Sequence, residues 1–150
     1  MKHFTLFFYI LFILPGSFLF SVAQNKEADK IIGEWYTEGK ESAVEIYKRG
    51  DQYFGKIVWL KNPTYEDGSP KVDKNNDDVD KQKRPLIGLE LLKGFVYDGD
   101  LEWDDGEIYN PKDGDTYSCV MELEDENTLD VRGYVGISLF GKSQTWTRKE

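Results

Sequence analysis

Histidine and cysteine are almost missing from this chain: His3 is the only histidine and Cys119 the only cysteine. His3 falls in an N-terminal leader, so the folded part is expected to carry no imidazole. That excludes Ser-His and Cys-His nucleophile pairs, an imidazole general base and the usual zinc ligand sets. One thiol cannot form an internal disulfide, so stability has to come from packing. Positive charge is also scarce, with 19 Lys and Arg against 28 Asp and Glu and a net charge of −9. Such a surface repels phosphate backbones and anionic membranes, so no nucleic-acid partner is expected. No pair of carboxylates or tyrosines has a spacing that fixes one catalytic geometry. Neither an enzyme nor a cofactor is expected.

What is present begins with an apolar leader. Lys2 precedes an apolar run from Phe4 to Phe20, and Ser21-Val22-Ala23 puts small residues where a signal peptidase reads. The expectation is a secretory signal over residues 1–23, cleaved after Ala23, and a single domain over 24–150. Pro15-Gly16 interrupts the run as a spanning helix, no basic cluster follows it, and no cysteine sits at the cleavage site to take a lipid. The product is expected to be periplasmic or secreted and not membrane-spanning. Losing Lys2 makes it one charge more acidic still.

Aromatic residues make up 15% of the chain, enough to build a core. After a short helix-capable piece at 26–30, Gly33-Glu34-Trp35-Tyr36-Thr37 reads as a first strand. Ser42 to Arg49 alternates, with Val44 and Ile46 on one face, and Gly50-Asp51 turns the chain. Gln52 to Leu60 follows, with Tyr53, Ile57 and Trp59 on one parity. Lys61 to Lys83 holds Pro63, Gly68, Pro70 and an acidic run and keeps no apolar period, which predicts one long loop. Leu89 to Tyr97 reads as a strand, with a helix through Leu86 to Leu92 as the rival. A broken strand over Leu101–Trp103 and Glu107–Tyr109 comes next, interrupted by a bulge or turn at Asp104-Asp105-Gly106. Thr116 to Glu124 alternates cleanly, placing Tyr117, Cys119, Met121 and Leu123 together, and Thr128–Val135 and Ser143–Lys149 close the chain. About eight short strands with little helix predict an all-β, antiparallel, up-and-down barrel. The strands are too few and too charged for a transmembrane barrel.

Gly33-Glu34-Trp35 after a helical turn, with Trp146-Thr147-Arg148 near the end, resembles the calycin pattern of lipocalins, fatty-acid-binding proteins and avidins. That resemblance implies a structural clasp of Trp35, Trp146 and Arg148, in which an indole face receives a guanidinium and seals one barrel end. Gly55-Lys56-Ile57-Val58-Trp59-Leu60, Arg84-Pro85-Leu86-Ile87-Gly88-Leu89, Ile108 to Gly114, Val131 to Gly136 and Leu139 to Arg148 are similar to the exported bacterial family "domain of unknown function 2147". The family implies a lipocalin-like barrel without an established activity. The chain departs from its pattern at Asn110, where the family has Asp, and at Asn76-Asp77-Asp78, where the family has an Asn-Pro-Asp turn.

Candidate ligand contacts are of three kinds. Arg84 and Arg132 adjoin apolar segments, and Arg132 points away from the Leu129–Val131 face. Each either holds an acyl carboxylate at a barrel mouth or pairs with one of the many acids. Trp59 and Trp103 are expected to line an interior cavity. Tyr109, Tyr117 and Tyr134 are core or rim aromatics, or ligand clamps. Asp73, Asn75, Asp77 and Asp80 offer oxygens at calcium-like spacing, but the sixth and twelfth loop positions hold Asp78 and Arg84 instead of Gly and Glu, so no metal is expected. Two function classes follow. One is a binding module of the cell envelope for a small apolar or amphipathic molecule; the other is a structural or interaction domain with a filled barrel. An eight-stranded barrel suits either.

Overall fold

The computed structural model describes residues 26–150, so the expected leader lies outside the described part. Eight strands follow in order: β1 (Gly33–Tyr36), β2 (Ser42–Arg49), β3 (Gln52–Leu60), β4 (Glu90–Gly99), β5 (Glu102–Asn110), β6 (Asp115–Asp125), β7 (Thr128–Tyr134) and β8 (Lys142–Arg148). Each pairs antiparallel with the next, and β8 returns to β1 through Trp35 opposite Arg148 and Tyr36 opposite Thr147. The barrel is therefore closed and leaves no sheet edge. Among the described residues no helix is long and apolar enough to cross a membrane.

The β2–β3 hairpin turns at Gly50, in the left-handed region at φ 63°, with Arg49 paired to Gln52. Leu86 to Leu89 forms no helix, and β4 begins at Glu90. The expected broken strand over 101–109 is one continuous strand, β5. Its interruption is a bulge at Asp105 (φ 59°), where the register with β6 shifts between Trp103 and Gly106. The bulge lets the chain bend without losing the ladder, as closing a small barrel requires. Gly106 then lies under the ring of Phe95, where a Cβ would come within 2.4 Å of the ring atoms.

Up-and-down order gives the barrel two unlike ends. The β2–β3, β4–β5 and β6–β7 turns share one end with the start of β1 and the finish of β8. That end is filled. Tyr53, Phe95, Trp103, Leu123 and Leu129 are buried there, and the 3-10 turn Asp29–Ile31 plugs it with Ala28 and Ile31. Arg148 lies over the Trp35 ring at 4.1 Å, a contact of about 1 kcal/mol. The same guanidinium donates to the carbonyls of Lys30, Ile32 and Glu126, and Trp35 Nε1 donates to Ile31 O at 2.9 Å. Asp29 fixes the plug from the other side, accepting from Tyr53 Oη at 2.7 Å and Lys48 Nζ at 2.9 Å. Cys119 is buried in the wall, and burial pushes its thiol up to about 12, so it is inert at neutral pH.

Candidate functional site

The other end receives the β1–β2, β3–β4, β5–β6 and β7–β8 connections and is open. A cavity of about 810 Å³ occupies this half of the barrel, a size typical of small-molecule sites. Its depth is apolar, formed by Val44, Ile57, Ile108, Val131 and Trp146, with Leu60, Leu86, Val135 and Phe140 around the opening. A smaller crevice of about 210 Å³ lies outside the wall, where Lys81, Arg84 and Lys93 meet Glu90 and Glu107.

Long-range polar contacts hold the mouth in shape. Asp73, at the start of the acidic run, is fully buried. Its carboxylate takes Arg84 Nε at 2.9 Å and Nη2 at 2.8 Å, Asn76 Nδ2 at 2.9 Å and Tyr109 Oη at 2.6 Å. A buried carboxylate tolerates its charge only when paired and hydrogen-bonded in this way. Burial, and then the Asp73 bond, raise the Tyr109 hydroxyl above its ordinary value, so it stays a donor. Next along the loop, Asn75 Nδ2 donates to the carbonyls of Pro111 and Lys112, each at 3.0 Å. The long loop is thereby docked onto the β5–β6 turn.

On the opposite rim, Arg132 grips the β7–β8 connection. Its guanidinium donates to the carbonyls of Ser138 and Leu139 and to Ser143 Oγ. This holds a 3-10 turn, Ser138–Phe140, whose Phe140 is 79% exposed while bordering the cavity.

The cavity wall also carries charge. Its carboxylates are Glu38, Glu41 and Asp113, and its ammonium groups belong to Lys71, Lys74, Lys112 and Lys142. Asp113 accepts from Asn110 Nδ2 at 2.8 Å and Tyr117 Oη at 2.9 Å. Burial opposes its charge, but the Asp115 amide, Tyr117 and Asn110 outweigh that and hold its carboxyl below the ordinary value.

Residues 33–148 match the model of a family described as an uncharacterised protein conserved in bacteria, DUF2147. The chain belongs to that family. A search of curated proteins finds no match to this DUF2147 chain. Among solved structures it is similar to protein HP1028 of the human pathogen Helicobacter pylori, described as belonging to the lipocalin family. The TM-score is 0.69 at 24% identity, over 80% of this chain and 83% of that one. At that identity the likeness speaks for a lipocalin-like fold alone.

The DUF2147 barrel gathers some of the residues singled out from sequence and scatters others. Tyr109, Tyr117 and Tyr134 all border the cavity. Arg84 and Arg132 do not; one is spent on Asp73 and the other on the β7–β8 connection. Trp59 is a correction. It stands 38% exposed on the outer surface with its ring edge against Tyr36. A bulge causes this: Ala43 pairs with Trp59 but Val44 with Ile57, so Val58 is an extra residue and the parity flips. Leu60 takes the inward place that strict alternation assigned to Trp59. Trp103 is a second correction, because it packs against Tyr53 and Tyr97 in the filled end and does not line the cavity. Trp146 is a third. It shares the inward parity of Arg148, but its indole borders the cavity and donates to Gln144 Oε1 at 3.1 Å, away from the clasp of Trp35 and Arg148. Asp73 is consumed by Arg84 and Tyr109, and among the described residues no three His, Cys, Asp or Glu side chains converge as a metal site would require.

Sequence reasoning missed the lysines. A usable signal existed: in an up-and-down barrel every odd-to-even connection emerges at one end, and Lys71, Lys74, Lys112 and Lys142 lie on or beside three of them.

Proposed function

We propose that this DUF2147 chain is an exported binding module that takes a small apolar or amphipathic molecule into the mouth half of its barrel. One observation carries the reading. The barrel is filled with its own aromatics at one end and holds about 810 Å³ of apolar-floored space at the other. A purely structural barrel has no need of that asymmetry, since an unfilled core costs about 1 kcal/mol for each methyl-sized void. The leader pattern at residues 1–23 supports export, and an exported binder suits a role in the cell envelope. No reaction is proposed, because the one thiol is buried and Asp73, Asn75 and Arg132 at the mouth are engaged in holding loops.

The test is a titration of the protein, residues 24–150, with the neutral fluorescent amphiphile N-phenyl-1-naphthylamine. Saturable one-to-one binding is expected, and Val131→Phe, which fills the cavity floor, should abolish it while leaving the thermal midpoint unchanged or raised. Absence of saturable binding by the wild-type chain, or full binding by Val131→Phe, sinks the reading.

A further inference from the structure

We infer that the molecule taken into the mouth is an anionic amphiphile, with its acidic head between Lys71, Lys74, Lys112 and Lys142 and its apolar part on Ile108, Val131 and Trp146. The inference rests on the binding role proposed above and adds the class of ligand. The chain carries an excess of nine negative charges, yet four lysines line one concave wall. Three carboxylates share that wall: Glu41 pairs with Lys61, while Glu38, which accepts the Thr145 amide, and Asp113, held by the neutral donors Asn110 and Tyr117, keep their charge, so four lysines face two uncompensated carboxylates. The four lysines make no ion pair among the described residues, although Lys74 Nζ lies over the Tyr65 ring at 5.7 Å. Among the described residues the ion pairs within 4 Å use Lys30, Lys48, Lys56, Lys61, Lys81 and Lys149, and no protein acceptor takes a hydrogen bond from the ammonium of Lys71, Lys74, Lys112 or Lys142.

A single solvated lysine is ordinary. Four that line one cleft from three separate segments outnumber its two uncompensated carboxylates, so its low-dielectric walls focus a net positive charge on a chain that is net negative. Their placement is also built. Asn75, between Lys71–Lys74 and the β5–β6 turn, bonds the carbonyl of Lys112 itself, and Arg132 fixes the connection that ends at Lys142. Lysines are point charges without the planar fork of arginine, so they select charge over head-group shape. Carboxylate and phosphate monoester heads are both accommodated, and free fatty acids and single-chain phospholipid fragments supply the same chemistry.

Displacement of the naphthylamine probe, with every amphiphile below its micelle concentration, separates these possibilities. Dodecanoate and dodecyl phosphate are expected to bind about tenfold tighter than dodecanol, and the advantage should shrink with added salt. Dodecyltrimethylammonium should bind weakest. The double variant K112Q/K142Q should bring dodecanoate down toward dodecanol, while Lys83→Gln, outside the cavity, should not. A preference of carboxylate over phosphate, or the reverse, assigns the source between fatty acid and phospholipid fragment. Dodecanol binding as tightly as dodecanoate, or a double variant that keeps the full preference, overturns the anionic assignment and leaves the binding role standing. No binding of either overturns both.

Discussion

Asp73 shows at the level of one side chain why the acidic run is not a solvated tail. It is the fully buried acceptor for Arg84, Asn76 and Tyr109, groups 3 to 36 residues away. Removing it leaves a guanidinium, an amide and a phenol without their partner, a loss of about 3 kcal/mol. Asp73→Ala should show that loss in urea denaturation and weaken ligand binding as well, since Lys71 and Lys74 ride on the same loop. The tryptophans make a second contrast. Trp35 donates to Ile31 and lies under Arg148, whereas Trp103 Nε1 is buried with no protein partner. Trp35→Phe therefore forfeits a hydrogen bond and a stacked cation, about 2 kcal/mol together, and Trp103→Phe should cost clearly less because it removes an unsatisfied donor. Equal costs in paired denaturation curves would contradict this. The clasp of Trp35 and Arg148 was legible through the calycin resemblance, which rests on two short motifs that meet where the barrel closes; Trp146, which the resemblance placed with them, stands apart. Pairing with an acid is one of the two alternatives open to Arg84 from sequence, and it holds; that the acid is the buried Asp73, and that Arg132 is spent on two backbone carbonyls, leaves no pattern in composition or period.

Among the elements, the strands were legible and the loops were not, for a physical reason. Strand faces follow from alternation and turns from residues such as Gly50-Asp51, and both signals are local. They fail only where a bulge adds a residue, as at Val58, which reversed Trp59. The β3–β4 loop is ordered by contacts at long range, among them its approach to the β5–β6 turn. Gly114 sits there at φ 81°, and a Cβ on it would come within 2.0 Å of the Asn75 carbonyl oxygen. Gly114→Ala faces both backbone strain and a clash with main chain, a cost of about 1–3 kcal/mol unless the loop moves away. The expected outcome is loss of amide-exchange protection across residues 61–89 with the β6–β7 ladder still protected. Unchanged protection in the loop would show that its docking does not depend on this approach.

For the molecule as a whole, the barrel divides its labour between ends. Substitutions at the filled end should change stability and leave affinity alone, and substitutions of cavity-lining side chains should do the reverse where they spare Asp73 and the approach of Gly114 to the long loop. At the filled end, the plug has its own dependence on pH. Burial works against the charge on Asp29, but the bonds from Tyr53 and Lys48 and the charge of Lys48 prevail and hold its carboxyl below the ordinary 3.8. Burial, followed by the bond to Asp29, raises the Tyr53 hydroxyl above its ordinary 10.0. For the lowered carboxyl, the folded state binds its proton less readily than the unfolded chain. Its contribution is complete above the unfolded value and is lost as pH falls through the lower folded value. For the raised phenol, the contribution is complete below about pH 10 and is lost as pH rises through the folded value. The plug formed by residues 29–31 is thus held from both sides over the range between them. In a series of thermal melts from pH 7 to pH 2, Asp29→Asn should begin with a lower midpoint than the wild type and lose less of it below about pH 4, where the wild-type carboxylate takes up its proton. Parallel curves for the two proteins across that interval would mean that the plug is held by Ala28, Ile31 and the Arg148 bonds alone.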